Sequence, residues 1–190
     1  MGAVCAFFVC GHGGCPHFLE AIMRKNLRLL TQGAVLAALY VALTHLQNLL
    51  LPGSATWAIQ FRASEALCVL ALFTPAAIPG LTLGCLLFNI SFAGALPLDF
   101  LVGSLASLVA AAGMYLLRNC KVKGYPLAAM LMPAVSNALL VGWELSVYIG
   151  GGFWLNALYV AIGEAAVLLS LGTALFYVLR SHKTLKQFFV

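Results

Sequence analysis

Long apolar runs separated by short polar or glycine-rich breaks make up most of the chain. Most of these runs reach about 20 residues, the length of helix that spans the hydrocarbon core of a bilayer. The strict alternation of apolar and polar residues that marks a barrel strand is missing. Since backbone groups in lipid must bond within their own segment, the pattern predicts transmembrane helices. The runs cover residues 29–50, 62–92, 98–117, 126–149 and 154–179.

The second run is long enough for two passes and carries its own break. The stretch TPAAIPG, Thr74–Gly80, places two prolines and a glycine in its middle. Proline interrupts a helix, so we expect the run to fold back as a hairpin, which brings the total to six spans. An α-helix over residues 62–74 is only about 20 Å long. We therefore expect that span to start earlier, to tilt, or to lie in locally thinned bilayer.

Composition agrees with a membrane location. Hydrophobic residues make up 63% of the 190 residues and charged residues 8%, whereas soluble domains are about 25% charged. So few charges cannot cover a water-facing surface, and lipid must cover most of this one. The prediction is an all-α integral membrane protein, folded as a compact bundle of six transmembrane helices.

Basic residues indicate the orientation of the bundle. The net charge is +5, and nine of the ten basic residues fall in three clusters that flank apolar runs. Cytoplasmic ends of spans are enriched in Lys and Arg, so we expect all three clusters, and both termini, on the cytoplasmic side. Clusters at span ends do not form a nucleic-acid surface, and no nucleic-acid partner is expected. The clusters are Arg24, Lys25 and Arg28; Arg118, Lys121 and Lys123; and Arg180, Lys183 and Lys186.

The first 22 residues do not fit the pattern of spans. They lack the basic start of a signal peptide, and Met23 followed by RKNLRLL resembles a natural start. We expect residues 1–22 to be a tail or an over-extended start, and residues 23–190 to form the membrane domain. The tail holds soft metal ligands, but their spacing matches no zinc pattern, and we predict no metal site. These ligands are Cys5, Cys10, Cys15, His12 and His17.

Polar residues concentrate in the outer halves of the predicted spans. A charge inside a membrane costs about 2.5–3.5 kcal/mol even on the lenient insertion scale, so such groups pair, order helix packing or line a site. Arg62 and Glu65, three residues apart, share a predicted helix face, where they can form an ion pair. The convergence of so many groups on one end predicts an outward-facing polar pocket. The residues are Arg62, Glu65, Asn89, Asp99, Asn137, Glu144, Asn156 and Glu164.

Aromatic residues fall near the same end: Trp57 lies in the loop 51–61, and Trp143, Trp154 and Tyr159 lie near the outer ends of spans. They are either an interfacial belt or rings on which a planar ligand stacks. Acids, amides and aromatics together suit a flat, nitrogen-rich or cationic small molecule. No catalytic motif is present, so we expect neither enzymatic activity nor a cofactor in this chain.

Span 1 carries a stripe of small residues. Ala34, Ala38 and Ala42 follow one another at steps of four, a spacing that lets another helix approach closely. The stripe is either a surface for a partner protein or a contact inside the six-helix bundle.

Five blocks of the sequence resemble the QueT family, whose members are substrate-binding S components of energy-coupling factor (ECF) transporters for queuosine precursors. The resemblance runs from about Met23 to Arg180. The blocks are QFRASEAL (Gln60–Leu67), FTPAAIPGLTLGCLLFN (Phe73–Asn89), LDFLVGSLASLVAA (Leu98–Ala111), MPAVSNALLVGWEL (Met132–Leu145) and FWLNALYVAIGEA (Phe153–Ala165).

The resemblance implies a multi-pass protein of the bacterial cell membrane that binds a 7-deazaguanine base, such as a queuosine precursor or queuine. It implies docking through the stripe Ala34, Ala38 and Ala42 onto a transmembrane coupling subunit, whose two ATPase subunits hydrolyse ATP. The loop 51–61 then covers the substrate, and the whole chain topples in the membrane to release it inward. Glu65, Glu144 or Glu164 would accept the paired N–H donors of the base, the three asparagines would address its other edges, and Asp99 would bind an aminomethyl cation.

Three alternatives remain open at this stage. The chain is an S component for another vitamin-like molecule, a membrane-embedded enzyme that uses the outer acids, or an assembly factor whose main surface is the stripe on span 1.

Overall fold

The computed structural model describes residues 16–52, 61–92 and 97–182, and all of their regular secondary structure is helical. The described chain therefore confirms the all-α prediction. A π-helical segment, Leu168–Gly172, joins the last two helices, so that α6 and α7 form one span, as α4 and α5 do. Apart from a three-residue 3₁₀ turn at the end of α3, the helices are α1 (Pro16–Leu50), a 3₁₀ helix (Ala63–Leu72), α2 (Ala77–Ser91), α3 (Asp99–Leu116), α4 (Leu127–Met130), α5 (Met132–Tyr148), α6 (Phe153–Val167) and α7 (Thr173–Ser181).

Six helical passes result, as the hydrophobic pattern predicts. Within the described residues, four stretches are long and apolar enough to cross a membrane: Ile22–Leu50, Asp99–Asn119, Leu127–Tyr148 and Phe153–Ser181. The 3₁₀ helix and α2 are shorter apolar helices and form the predicted hairpin. The chain is thus a multi-pass membrane protein.

The first arm of the hairpin is a 3₁₀ helix rather than an α-helix. Its ten residues, Ala63–Leu72, are almost all buried. A 3₁₀ helix rises about 2.0 Å per residue against about 1.5 Å in an α-helix, so these residues extend about 20 Å instead of about 15 Å. Stretching the helix is a further way in which a short segment covers more of the bilayer, beside the earlier start, the tilt and the thinned bilayer that the sequence suggested.

Close contact between α1 and α2 depends on two glycines. A Cβ atom on Gly80 would lie 2.6 Å from the carbonyl oxygen of Gly33, a distance that real Cβ atoms do not tolerate. The bend before α2 is fastened to α1 by Thr74, whose hydroxyl donates to Gln32 Oε1 at 2.9 Å. These contacts place the hairpin bend beside residues 32–33 of α1.

Contacts between neighbours show that the six passes alternate in direction. Thr44 near the end of α1 contacts Ser64 at the start of the 3₁₀ helix, with 2.8 Å between their hydroxyl oxygens. Ser136 of α5 donates to the carbonyl oxygen of Ala106 at 3.0 Å. The chain therefore enters and leaves the bundle at the same end. Assignment of that end to the cytoplasm stays a prediction from the positive-inside rule.

Basic residues lie at this end of the bundle. Arg24, Lys25 and Arg28 are exposed on α1, and Arg180 Nη1 lies 3.4 Å from the carbonyl oxygen of Gly124, next to the second basic cluster. Lys183 and Lys186 lie outside the described residues.

The predicted boundary after residue 22 falls within the first helix. Helix α1 begins at Pro16, so residues 16–22 continue into the first span, and the boundary before residue 23 stays a prediction. Cys5, Cys10, Cys15 and His12 lie outside the described residues, and the side chain of His17 is not among those described.

The main apolar core lies where α1, the hairpin and α3 meet. Tyr40, Val69, Leu81, Phe88 and Met114 are all buried there. A smaller core, formed around Ala106, Val141, Leu145 and Val160, joins α3, α5 and α6. Large apolar side chains also cover the outside of the bundle, among them Leu49 and Leu116, as expected for a surface that lipid covers.

Candidate functional site

Seven buried polar residues from five helical passes meet at the end opposite the hairpin bend. We call them the polar cluster; each has at most 5% of its surface exposed. They contribute four carboxyl groups and one guanidinium group, so carboxylates outnumber cations. The polar cluster consists of Arg62, Glu65, Asn89, Asp99, Asn137, Glu144 and Glu164.

Arg62 pairs with Asp99 at the start of α3, with 3.7 Å between Nη2 and Oδ1. The sequence suggested Glu65 as a partner, on the assumption of a shared α-helical face. Arg62 instead lies just before the 3₁₀ helix with an extended backbone, φ −106° and ψ 99°. The i, i+3 rule applies only inside a regular helix, so the side chain of Arg62 is directed to a different helix.

Glu65 is held by two donors within the protein. The hydroxyl of Tyr40 on α1 donates to Oε1 at 2.8 Å, and the thiol of Cys68 donates to Oε2 at 3.2 Å. Sequence reasoning missed both residues, because Tyr40 lies within the alanine-rich stretch of span 1 and Cys68 resembles a small apolar residue. The sequence does indicate that Tyr40 has a polar partner, because a hydroxyl within a span needs a hydrogen-bond partner.

The asparagines have different roles. Asn89 Nδ2 donates to the backbone oxygen of Asp99 at 2.7 Å, which ties the end of α2 to the start of α3. Asn156 Nδ2 donates to the backbone oxygen of Gly150 at 3.1 Å. Asn156 therefore fastens the turn between α5 and α6, where Gly150 and Gly151 adopt positive φ angles of 82° and 81°. Asn137 lies beside Glu164.

Several buried atoms of this region have no hydrogen-bond partner among the described residues. Buried polar atoms are almost always paired, so their concentration in one place points to a site that binds a polar molecule. Glu144 lies beside Asp99, and Glu164 lies beside Glu65 and Asn137. The unpartnered atoms are both carboxylate oxygens of Glu144, both of Glu164, Nδ2 of Asn137, Oδ1 of Asn89 and Oγ of Ser107.

Helix α3 keeps small side chains on the face that meets the polar cluster. A Cβ atom on Gly103 would lie 2.7 Å from Asn89 Nδ2, so a larger residue would displace that amide. Ser107 follows one turn later and is buried. Both residues escaped the sequence analysis, although their steps of four from Asp99 put them on its face.

The predicted aromatic residues are not buried with the polar cluster. Trp143 is 50% exposed and Trp154 is 78% exposed, while Tyr159 is half-buried. These exposures favour an interfacial or lipid-facing position for the two tryptophans. Trp57 lies outside the described residues.

The small residues of α1 divide between two faces. Gly33 and Ala37 face the bundle, where Gly33 contacts Gly80 and Ala37 is buried. Ala34, Ala38 and Ala42 are exposed on the other side. Beside Ala34, an apolar groove of about 450 Å³ runs along the bend, lined by Pro75, Pro79 and Leu83 among others. The described helices therefore leave the stripe of alanines uncovered.

Comparison with known proteins agrees with the resemblance drawn from the sequence. The family model described as QueT transporter matches residues 30–181, which is most of the chain, so the chain belongs to the QueT transporter family. This is a family of transporters, and no enzyme family is indicated. No match was found among curated proteins or among solved structures.

Proposed function

We propose that this member of the QueT transporter family is the substrate-binding S component of an ECF-type uptake transporter in the bacterial cell membrane. Its substrate is a 7-deazaguanine base, either a queuosine precursor or queuine, and the polar cluster binds it. The observation that carries the proposal is the set of buried carboxylate oxygens on Glu144 and Glu164 that accept no hydrogen bond within the described chain.

The chemistry of the base matches these groups. A guanine-like edge presents adjacent N–H donors, and carboxylates accept such donors in pairs. Neither Asn137 Nδ2 nor Asn89 Oδ1 makes a hydrogen bond of normal geometry among the described residues, so a donor and an acceptor are offered to the carbonyl and the ring nitrogens. Burial has removed the hydrogen bonds that these atoms would make to water. A bound base offers new hydrogen bonds to the same atoms.

The excess of carboxylates also suits a cationic substituent. Asp99 is engaged by Arg62, so Asp99 is a poorer partner for an aminomethyl cation than the sequence suggested. Glu144 lies beside Asp99 and has both oxygens unpartnered. We therefore assign binding of such a cation to Glu144.

The exposed alanine stripe supports a role for α1 in docking. Ala34, Ala38 and Ala42 form a surface that another transmembrane helix approaches closely, and in this proposal that helix belongs to the coupling subunit. Two ATPase subunits of the complex hydrolyse ATP, since the chain has no nucleotide-binding loop of its own. Substrate release inward then follows toppling of the chain, which membrane lipid surrounds.

Calorimetric titration of the detergent-purified chain tests the proposal. We expect 7-aminomethyl-7-deazaguanine, 7-cyano-7-deazaguanine or queuine to bind tightly, and thiamine and biotin, as unrelated vitamins, not to bind. Glu144→Gln and Glu164→Gln should weaken binding by about tenfold or more, the effect of losing a hydrogen bond to a charged group. Glu20→Gln, which changes an exposed acid on α1, should leave the affinity unchanged. Failure of all three bases to bind to folded, monodisperse protein would refute the substrate assignment.

A further inference from the structure

Tyr40 is the residue of α1 that reaches the polar cluster. Its side chain is fully buried, and its hydroxyl donates to Glu65 Oε1 at 2.8 Å. The position of the ring is tightly restricted, because a Cβ atom on Gly84 of α2 would lie 2.7 Å from Tyr40 Cβ. The hydroxyl therefore approaches Glu65 from a direction that the packing of α1 against α2 determines.

The backbone around this contact is also fixed. One turn after Tyr40, Thr44 Oγ1 lies 2.8 Å from Ser64 Oγ, next to Glu65 in the chain. Further along α1, Gln47 Oε1 accepts from the backbone N–H of Ala63 at 2.7 Å. Three consecutive contacts thus hold the start of the 3₁₀ helix against α1, and Tyr40 provides the one that reaches a carboxylate.

Glu65 differs from the other two glutamates of the polar cluster. Tyr40 occupies one of its oxygens and Cys68 the other, so two donors fix the plane of the carboxylate. Each carboxylate oxygen has two lone pairs, and Glu65 keeps one acceptor position on each oxygen. Asn137 lies beside Glu164, but no donor of the described residues is at hydrogen-bond geometry to an oxygen of Glu144 or Glu164.

We propose that Tyr40 is a positioning residue that, together with Cys68, orients Glu65 as a paired acceptor for two adjacent N–H donors of a planar ligand. The inference rests on the proposed function, since it assumes that a guanine-like base enters the polar cluster. In this proposal Glu65, which the protein orients before the ligand binds, accepts the two N–H donors of the base. Glu144 then binds a cationic substituent. Preorganised donors and acceptors bind more tightly than groups that must be ordered by the ligand.

The test compares two bases that differ in one donor group. Titrations use 7-deazaguanine and 7-deazahypoxanthine, which lacks the exocyclic amine, with the wild-type chain and with Tyr40→Phe. The wild type should prefer 7-deazaguanine by about tenfold or more. Tyr40→Phe should weaken binding of 7-deazaguanine by about tenfold, while 7-deazahypoxanthine should lose much less, so that the preference shrinks.

Tyr125→Phe is the matched control. The hydroxyl of Tyr125 contacts Thr173 Oγ1 at 2.6 Å, near the opposite end of the bundle, so this variant removes the same group from a partly buried contact outside the polar cluster. We expect both affinities to stay at the wild-type values. An equal loss for the two bases in Tyr40→Phe would overturn the proposal, because a purely structural role changes both affinities alike. A wild type that binds both bases equally would overturn it as well.

Infrared spectroscopy of the ligand-free protein separates this proposal from the proposed function. The carboxyl band that Glu65→Gln removes should shift in Tyr40→Phe and remain in place in Tyr125→Phe. If the wild type binds neither base, the substrate assignment fails, and the band then decides whether Tyr40 orients Glu65. An unchanged band in Tyr40→Phe means that it does not.

Discussion

Arg62 and Asp99 form a buried ion pair that joins the start of the 3₁₀ helix to the start of α3, with 3.7 Å between Nη2 and Oδ1. Both residues are almost inaccessible to solvent. A charge inside a membrane protein is tolerated where a partner offsets it. The pair therefore links two passes that are separated by α2 in the chain, and it keeps one carboxylate of the polar cluster neutralised by a cation.

Removal of one member of this pair should destabilise the protein strongly. Asp99→Asn or Arg62→Gln removes one charge of a buried ion pair, which typically costs about 3–5 kcal/mol. Thermal unfolding in detergent should show a clear decrease in Tm for either single variant. The double variant should be closer to wild type than the sum of the two singles, because neither charge is then left alone. Additive losses would show that the two residues do not act as a pair.

Replacing Glu144 or Glu164 should lower the affinity for the base without lowering the stability of the ligand-free protein. Glu144→Gln and Glu164→Gln replace a buried carboxyl group that lies beside a second carboxyl group, Asp99 or Glu65, by a neutral amide, and like charges that share a buried site are unfavourable. The ligand-free variants should therefore have a Tm equal to or above that of wild type, while their affinity for a 7-deazaguanine base falls. Thermal unfolding with and without ligand measures both effects. A lower Tm in the ligand-free state would indicate that the carboxylates stabilise the fold instead.

The glycine contact between α1 and α2 should be intolerant of a methyl group. In Gly80→Ala the new Cβ would lie 2.6 Å from the carbonyl oxygen of Gly33, and overpacking of this kind costs about 1–3 kcal/mol. Gly152→Ala is the control, because a Cβ at that position meets no atom within 4 Å and its φ of −76° is accessible to alanine. Thermal unfolding should show a loss for Gly80→Ala and little change for Gly152→Ala.

The alanine stripe should matter for transport and not for binding. Ala38→Leu adds bulk to an exposed face of α1, so the isolated chain should bind its base with unchanged affinity. Uptake by cells that produce the whole transporter should fall, since the coupling subunit can no longer approach closely. Ala166→Leu, a change of the same size on the exposed face of α6, should leave uptake intact. Normal uptake with Ala38→Leu would remove α1 from the proposed interface.

The hydrophobic pattern was sufficient to predict the helical architecture of this chain. Six passes, the fold-back at residues 74–80 and the polar end of the bundle all follow from where apolar runs stop and where charges are placed. Most residues of the polar cluster can also be identified from the sequence, because an ionisable group inside an apolar run is unfavourable unless it pairs with another group or lines a site. These properties depend on the local sequence, so they can be predicted from one chain.

The contacts between side chains of different helices were decided only by the tertiary structure. It pairs Arg62 with Asp99 instead of Glu65, brings Tyr40 and Cys68 to Glu65, and leaves Trp143 exposed. It also gives the first arm of the hairpin 3₁₀ geometry, which changes the direction of its side chains. Such pairings depend on the rotation and axial offset of each helix relative to its neighbours. Packing between helices sets these quantities, and the sequence of one span does not contain them.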